Sequence, residues 1–410
     1  MRTNRLPILN TVVAISILAL IPAISAAATE KVIFSFNGTL GSEPYGGLIS
    51  DAAGNLYGTT IQGGVYGYGT VFVLIPKTGG GWTGKILHSF GPGGIDGAFP
   101  YSSLTLDRSG NVYGTTINGG SNNVGIVFKL TPTAHGPWKE SILYSFLNNE
   151  QDGLYPGGPL IFDSSGNIYG TTGDGGPHFS GTVYKLTPNT TGPWTETILY
   201  TFNYSDGIGP IAGLLFDASG NLYGTTTAGG AYGFGTVFEL TPQTNGEWNE
   251  SAIFNFDGRN STGDEPYATM IFDAAGNLYG TTVQGGYYDS GMVFKLSPQT
   301  DGTWTETIVH SFEPSNWDGG NPYGGLMMDA AGNLYGTTNL GGRYNYGTVY
   351  QLTPTAGGKW SEKILHFFNN NGKDGYNPYC TLASDKAGNL FGVTFGGGTR
   401  GQGTLFEIVP

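Results

Sequence analysis

The sequence has a single cysteine, Cys380, among its 410 residues, so no disulfide can form within the chain. Charged residues are scarce at 11%, and the 17 basic against 30 acidic side chains give a formal net charge of −13. An acidic surface repels phosphate backbones, so nucleic acid is not an expected partner. The composition also disfavours helices, because the chain has 72 glycines and each costs about 1 kcal/mol in a helix relative to alanine.

Long apolar runs are absent after residue 28, so no later segment is expected to cross a bilayer. Before that point Arg2 and Arg5 precede a mostly apolar stretch from Ile8 to Ile21, and three alanines follow at 26–28. This pattern predicts a signal peptide over residues 1–28, a secreted protein and one mature domain over 29–410. Its removal takes the net charge from −13 to −15. An uncleaved membrane anchor is the alternative.

A segment of about 56 residues repeats seven times along the chain, which is typical of a propeller or solenoid. Its signature is the Gly-Asn-Leu-Tyr-Gly-Thr-Thr sequence of residues 54–60, preceded three residues earlier by Asp51. The copies begin at Gly54, Gly110, Gly166, Gly220, Gly276, Gly332 and Gly388. The preceding aspartates are Asp51, Asp107, Asp163, Asp217, Asp273, Asp329 and Asp385.

Each repeat contains four short apolar runs separated by turn residues, here called strands a to d. Leu214–Asp217 exemplifies strand a, Leu222–Thr226 strand b, Gly235–Leu240 strand c and Trp194–Phe202 strand d. Four-stranded antiparallel units repeated seven times predict an all-β, seven-bladed β-propeller. Small residues at the start of strand a, such as Gly46 and Gly47, suit crowding around a central axis.

The two ends of the repeat array predict a closed ring. A spare strand d, Lys31–Phe36, precedes the first full repeat, and the last repeat stops after its strand c, Thr404–Ile408. Pairing the N-terminal strand with the C-terminal blade would complete that blade and remove two exposed strand edges.

A side chain found in every repeat is interpreted as structural, whereas a catalytic group should depart from the repeat. We therefore interpret the repeated aspartates as turn formers. The tryptophans of strand d are interpreted as structural residues that cover the outer edges of the blades. His88, His310 and His366 share one strand-d position with aromatic residues, and Cys380 shares a small-residue position near the axis. Catalytic residues, a metal site and a cofactor are not predicted, although Ca²⁺ at the repeated Asp-Gly loops stays an alternative.

Ligand-binding candidates come from the b–c and d–a loops, which the meander places on one face of the disc and where the sequence varies most. Exposed aromatic rings beside polar groups suit the C–H faces and hydroxyls of sugars. The candidates are Tyr66, Tyr68, His178, Tyr232, Phe234, Tyr287, Tyr288, Trp317, Tyr344, Tyr346, Asp318 and Asp374. Packing of these rings over the glycine-rich loops is the alternative.

The repeated pattern Gly-Asn-Leu-Tyr-Gly-Thr-Thr-x-x-Gly-Gly-x(4)-Gly-Thr-Val-Phe resembles the GloVer-type tandem-repeat extracellular proteins of bacteria. It occurs at Gly54–Phe72, Gly220–Phe238 and Gly332–Tyr350, and the resemblance covers nearly all of the mature chain. It implies a secreted propeller and supplies no catalytic residues. A C-terminal surface anchor, frequent in the family, has no counterpart in the sequence given.

The function that these patterns favour is a non-catalytic extracellular module that binds carbohydrate or another cell-surface polymer. One rival is an enzyme acting on polysaccharides or lactones, because loop carboxylates could converge across the ring. Another is a structural surface protein that binds other proteins. No membrane span is expected once the signal peptide is removed.

Overall fold

The computed structural model describes residues 28–92, 94–134, 136–258 and 262–410, which form the predicted all-β, seven-bladed propeller. Apart from Ala28, the predicted signal peptide lies outside the described residues. Two short 3-10 helices, Pro314–Asn316 and Ala356–Gly358, occur in these ranges. Neither is long and apolar enough to span a membrane.

The chain enters the ring through β1 (Thr29–Ser35). Blade 1 contains β2 (Ile49–Ser50), β3 (Leu56–Thr60), β4 (Thr70–Pro76) and β5 (Trp82–Ser89). Between blades 1 and 2 lies β6 (Gly97–Ala98). Blade 2 contains β7 (Thr105–Leu106), β8 (Val112–Thr116), β10 (Ile126–Thr131) and β11 (Lys139–Ser145), with β9 (Asn118–Gly119) in its b–c loop. Blade 3 contains β13 (Ile161–Phe162), β14 (Ile168–Gly175), β15 (Thr182–Thr187) and β16 (Thr195–Thr201), preceded by β12 (Gly153–Pro156).

Blade 4 contains β17 (Leu215–Phe216), β18 (Leu222–Thr226), β19 (Thr236–Pro242) and β20 (Trp248–Asn255). Blade 5 contains β22 (Ile271–Phe272), β23 (Leu278–Thr282), β25 (Met292–Pro298) and β26 (Trp304–Ser311), with β21 (Gly263–Asp264) and β24 (Gln284–Gly285) in its loops. Blade 6 contains β28 (Met327–Met328), β29 (Leu334–Thr338), β31 (Thr348–Pro354) and β32 (Trp360–Phe367), with β27 (Gly319–Gly320) and β30 (Leu340–Gly341). Blade 7 contains β34 (Ala383–Ser384), β35 (Leu390–Thr394) and β37 (Thr404–Val409), with β33 (Gly375–Tyr376) and β36 (Gly396–Gly397).

Blade 7 is completed by the N-terminal strand, as the sequence predicts. β1 pairs antiparallel with β37 from Thr29 opposite Val409 to Ser35 opposite Thr404, so blade 7 has the strand order β1-β37-β35-β34. Phe36, directly after β1, is fully buried. The ring is therefore closed by hydrogen bonds between the two ends of the array.

The repeated aspartate forms the a–b turn, which confirms its structural interpretation. One carboxylate oxygen of Asp51 accepts hydrogen bonds from the backbone N–H groups of Ala53 and Asn55, at 2.9 and 3.0 Å. The other accepts from the Asn55 amide at 2.7 Å and the Tyr57 hydroxyl at 3.0 Å. Partial burial opposes ionisation of Asp51, but the hydrogen bonds from Asn55 outweigh it and lower its pKa.

The two threonines of the signature join neighbouring strands and blades. The hydroxyl of Thr59 donates to the backbone carbonyl of Ser102 on the next blade at 3.2 Å. The hydroxyl of Thr60 lies 2.9 Å from that of Thr70 on the adjacent strand of its own blade. Equivalents of the first, interblade contact are made by Thr171, Thr225, Thr281 and Thr337. The Gly-Thr-Thr motif therefore encodes the contact between blades.

The glycine of that motif lies against the ring of the strand-c aromatic residue. A Cβ at Gly58 would come within 2.7 Å of Phe72 Cζ and 2.9 Å of Leu48 Cδ2. We expect Gly58→Ala to reduce the free energy of unfolding by about 2 kcal/mol through overpacking, measured by denaturant melts. Gly136→Ala is the control, because its Cβ would meet only Thr133 Oγ1, at 3.5 Å. Equal effects of the two substitutions would contradict the packing argument.

The strand-d tryptophans pack between blades, so the prediction that they cover the outer edges is wrong. The ring of Trp138 in blade 2 lies 6.3 Å from that of Tyr57 in blade 1, and Trp304 of blade 5 lies 6.1 Å from Tyr223 of blade 4. Each repeat thus places a large apolar ring against strand b of the preceding blade, where the ring loses more contact with water than at an edge.

Cys380 is buried between strands a and b of blade 7. Its sulfur donates to the carbonyl oxygen of Val393 at 3.3 Å and accepts from the Val393 N–H at 3.2 Å. Burial raises the thiol pKa to about 11. The thiol is therefore part of the blade core.

Candidate functional site

The b–c and d–a loops share one face of the disc, as predicted, and we call it the loop face. The d–a loop before blade 2 pairs with that blade's b–c loop through β6 and β9. The loops of blades 5, 6 and 7 form the same two-stranded ribbon, and β12 extends blade 3 in the same way. The bridges Ser42 to Gln62 and Ile208 to Ala228 join the corresponding loops of blades 1 and 4.

The predicted ligand-binding residues fall into three groups by exposure. Exposed on the loop face are Tyr66, His178, Tyr232, Phe234, Tyr287, Tyr288, Trp317 and Tyr344. Tyr68 and Tyr346 are half-buried, with ring centroids 5.8 and 5.6 Å from those of Phe99 and Tyr376. Tyr66 and Phe234 also contact the glycines of neighbouring loops, Gly91 and Gly258, as the packing alternative suggests.

Asp318 and Asp374, the third group, are buried. One carboxylate oxygen of Asp318 lies 2.9 Å from His310 Nε2 and accepts a hydrogen bond from the N–H of Glu313, also at 2.9 Å, and the other accepts from the N–H of Gly319. Asp374 makes equivalent contacts with His366, Asn369 and Gly375. These carboxylates hold the d–a loops and do not form part of the exposed surface of the loop face.

Asp264 does not occupy the d–a position before blade 5 that corresponds to Asp96, Asp152, Asp318 and Asp374. Thr262 does, because its hydroxyl accepts from the N–H of Asp257, whereas Asp264 lies two residues further along in β21. Asp264 is partly exposed, and burial together with the neighbouring Glu265 raises its pKa to about 6.

One cluster of exposed side chains is assembled from three loops, and we call it the aromatic patch: Trp317, Arg343 and Tyr344, with Tyr288 beside Glu313 of the loop that carries Trp317. The guanidinium carbon of Arg343 lies 5.7 Å from the ring centroid of Trp317 and 5.6 Å from that of Tyr344. Trp317 is 61% exposed although it is the largest apolar side chain of the patch. Large exposed apolar side chains that gather in one place mark interaction sites.

Backbone geometry fixes Trp317 in the aromatic patch. The residue follows the 3-10 helix Pro314–Asn316 and adopts φ 64° and ψ 10°, a left-handed conformation that is uncommon for a bulky side chain. Next to it, the carboxylate of Glu313 raises the pKa of the Tyr288 hydroxyl. The loop around this tryptophan is thus ordered by its own polar contacts while the ring stays in solvent.

The centre of the ring holds a cavity of about 710 Å³ that is lined by the starts of the a strands. Five tyrosines form an arc around it, with neighbouring ring centroids 3.9 to 5.3 Å apart. They are Tyr101, Tyr45, Tyr379, Tyr323 and Tyr267. Burial, with added influence from the other phenols, raises the pKa of Tyr45 beyond its ordinary range. Tyr45 therefore lines the cavity in its neutral, hydrogen-bonding form.

The tyrosine arc is interrupted at blades 3 and 4, where Gly157 and Ile211 occupy the equivalent positions. Blade 3 also has Gly173 where other blades carry a larger residue, and Asp174 follows it at the cavity wall. Among the described residues that line the cavity, Asp174 is the single carboxylate. The interruption leaves one side of the cavity without a phenol.

Polar clusters occupy the interfaces between most neighbouring blades, and each joins a strand-d side chain, the d–a aspartate and a glutamate of the next strand d. His88 Nε2 lies 3.2 Å from Asp96 Oδ1 and 3.5 Å from Glu140 Oε1. Tyr144 replaces the histidine at the following interface, where its hydroxyl contacts Asp152 at 2.9 Å and Glu196 at 2.8 Å. The three histidines thus lie at separate interfaces and do not meet one another.

Burial dominates the protonation of these clusters. It raises the pKa of Glu140 to about 7, with smaller and opposing influences from His88 and Asp96. For His88 burial acts against the charged form, but the hydrogen bond to Asp96 and the charge of Glu140 outweigh it and raise its pKa.

The family model for the Gloeobacter/Verrucomicrobia repeat matches residues 21–160, 136–313 and 214–410. These overlapping matches span almost all of the chain. The chain belongs to the Gloeobacter/Verrucomicrobia repeat family. No curated protein matches it.

Departures from the Gloeobacter/Verrucomicrobia repeat single out two places on the loop face. Trp317 and Arg343 have no counterpart of the same type in the other repeats, and Gly157 and Asp174 distinguish blade 3. The tyrosine arc was missed in the sequence, although a Pro-Tyr pair before the small residues of strand a, as at Pro44-Tyr45, marks it in five repeats. That pair was the signal that could have placed aromatic rings around the axis.

Proposed function

We propose that this protein is a secreted, non-catalytic binding module that recognises a carbohydrate polymer through the aromatic patch on its loop face. The observation that carries this proposal is that the Arg343 guanidinium carbon lies 5.7 Å from the ring centroid of Trp317 and 5.6 Å from that of Tyr344, both exposed on the loop face. The ring faces that Arg343 leaves open can stack on the C–H faces of pyranose units, while the guanidinium donates hydrogen bonds to hydroxyl oxygens. The proposed secretion rests on the signal-like residues 1–28.

The aromatic patch suits a sugar better than an apolar ligand because polar groups surround its rings. Arg343 and Glu313 supply a donor and an acceptor, and the Tyr288 hydroxyl can serve as either. The patch is also open to solvent, which suits a long polymer that passes across a surface.

The rival hydrolytic function has less support from the described part of the chain. Hydrolysis of a glycosidic bond ordinarily uses two carboxyl groups about 5 to 9.5 Å apart. The axial cavity offers Asp174 alone among the described residues that line it. We therefore favour binding without turnover.

Binding to soluble and insoluble polysaccharides tests the proposal, with affinities measured by glycan array and calorimetry. We expect Trp317→Ala and Tyr344→Ala each to weaken binding about tenfold, because each removes one stacking ring worth about 1.4 kcal/mol. Tyr232→Ala is the matched control, since Tyr232 is as exposed as Trp317 but lies outside the aromatic patch. Its affinity should equal that of the wild-type protein.

Three results would contradict the proposal. Wild-type protein that binds none of the glycans would exclude carbohydrate recognition, and self-association in the same samples would favour the structural rival. Release of shortened sugars, abolished by Asp174→Asn, would favour the enzyme. Glycan binding that is unchanged by Trp317→Ala and by Tyr344→Ala would show that the binding site lies outside the aromatic patch.

A further inference from the structure

Three interfaces between blades bring a histidine nitrogen and two carboxylates from separate chain segments to one point. The clusters are His88 with Asp96 and Glu140, His310 with Asp318 and Glu362, and His366 with Asp374 and Glu30. Within each cluster the three candidate ligand atoms lie within 4.8 Å of one another. We call them the His clusters.

In two of the His clusters the distances from the imidazole nitrogen to the carboxylate oxygens, 2.9 to 3.5 Å, are close to the edges of a metal coordination polyhedron. Zinc binds nitrogen and oxygen at about 2.0–2.2 Å in tetrahedral geometry, which places neighbouring ligand atoms about 3.3 Å apart. His88 Nε2 is 3.2 Å from Asp96 Oδ1 and 3.5 Å from Glu140 Oε1. His310 Nε2 is 2.9 Å from Asp318 Oδ2 and 3.5 Å from Glu362 Oε1.

The glutamate oxygen that faces each histidine lacks a hydrogen-bond donor. Oε1 of Glu30, Glu140 and Glu362 is buried and has no hydrogen-bond partner in the described part of the chain. In the first two clusters the glutamate also shares a hydrogen bond with the aspartate beside it, so a cation bound there would take the place of the proton between the two carboxyl groups. The histidine side chains keep 18–20% of their surface exposed, so a water molecule can reach a fourth coordination position.

The interfaces that carry tyrosine show how the same site is built without a nitrogen ligand. The hydroxyl of Tyr144 contacts both Asp152 and Glu196, so one proton donor joins the two carboxyl groups. Glu196 Oε1 is also without a hydrogen-bond partner in the described residues, so the imidazole is what distinguishes the His clusters. A neutral imidazole presents a lone pair to a metal, which a phenol does only after losing its proton.

We propose that each His cluster binds one divalent transition-metal ion of the Zn²⁺ type, through imidazole Nε2, one aspartate oxygen and glutamate Oε1, with water completing the coordination. The ion cross-links two blades, because the aspartate lies in the loop between them and the glutamate in the next strand d. Imidazole and carboxylate groups bind metal in their deprotonated forms, so affinity falls as the solution is acidified. This proposal replaces the sequence-based expectation that the chain holds no metal, and it is independent of the glycan proposal.

Metal stoichiometry tests the proposal on untagged protein that has been treated with EDTA and dialysed against ZnCl₂. We expect three bound zinc ions for each chain, measured by plasma mass spectrometry. Replacement of zinc by Co²⁺ should give the visible absorption of nitrogen and oxygen coordination. The melting temperature should rise with zinc concentration, because the ion binds only the folded form.

Substitution by tyrosine gives matched variants, because the repeat itself uses Tyr144 and Tyr200 at the same position. We expect His310→Tyr to lower the stoichiometry from three ions to two, and the triple variant with His88→Tyr and His366→Tyr to bind none. His178→Tyr, on an exposed loop, should keep all three.

Two outcomes would overturn the proposal: no zinc bound to the wild-type chain, or the same amount bound to the triple variant. Should the triple variant fail to fold, the three single variants decide, because each should lose one ion. A single variant that folds and retains three ions would exclude its cluster.

Discussion

Deleting residues 29–36 is expected to open the ring and abolish the cooperative thermal transition of the folded protein. The deletion removes β1, and with it the whole ladder with β37, together with the fully buried ring of Phe36. Loss of a buried phenylalanine alone costs about 4 kcal/mol, against a total stability of about 5–15 kcal/mol for a typical domain. β37 would then present an unpaired edge that promotes aggregation. Calorimetry and light scattering measure both effects.

A circular rearrangement provides the control for this deletion. Residues 28–36 can be moved behind Pro410 through the turn of residues 243–247, because Val409 pairs with Thr29 as Thr241 pairs with Asn249 in blade 4. The rearranged chain should melt within a few degrees of the wild-type protein. An unchanged melt of the simple deletion would mean that the ring does not depend on its N-terminal strand.

Raising the pH from about 5 to about 9 in metal-free buffer is expected to destabilise the protein, with Glu196 as a principal cause. Burial, with a further contribution from Asp152, raises the pKa of Glu196 to about 8 in the folded state. A raised carboxyl pKa means that the folded state holds the proton more tightly than the unfolded chain. Stability is therefore highest at or below the unfolded pKa of about 4.5 and falls as the pH rises through about 8.

The Glu196→Gln variant isolates this effect, because glutamine is neutral and its amide can still donate to Asp152. Its stability relative to wild type should rise by about 3 kcal/mol between pH values of about 5 and 9, measured by urea unfolding. Glu247→Gln, at an exposed turn, is the control and should follow the wild-type profile. Parallel pH profiles of Glu196→Gln and wild type would show that Glu196 does not hold a proton.

The fold was predictable because turn-forming residues separate the strands in every repeat. The aspartate and asparagine of each a–b turn hydrogen-bond locally, within six residues, so their role follows from sequence spacing alone. Closure was predictable for a different reason: the surplus strand at Lys31–Phe36 and the missing strand after Thr404–Ile408 leave two unpaired edges. The shared face of the b–c and d–a loops then follows from the meander.

The contents of the interfaces between blades were not predictable in the same way. The hydroxyl of Tyr144 contacts the carboxyl group of Glu196 although 52 positions separate the two residues. The sequence around each of them indicates only an ordinary amphipathic strand. Trp138 was wrongly assigned to an outer edge, because an alternating pattern does not show whether a strand's second face meets solvent or another blade. The d–a loop before blade 5 also departs from the others, because Thr262 takes the place of the aspartate there.

The aromatic patch was predictable in its members but not in its assembly. Tyr288, Trp317 and Tyr344 come from three loops whose relative positions depend on the pairing of β27 with β30 and on the left-handed backbone at Trp317. The sequence does not predict a binding role for Arg343, because a lone arginine on a loop is most often a solvated charge.

The pairing of Thr29 with Val409 places both ends of the propeller side by side on the a–b and c–d turn side of the disc. Anything joined to residue 29 or to residue 410 therefore leaves from the side opposite Trp317 and the tyrosine arc. A tether to a bead, a sensor chip or a cell envelope through either end would therefore orient the sugar-binding candidates outwards.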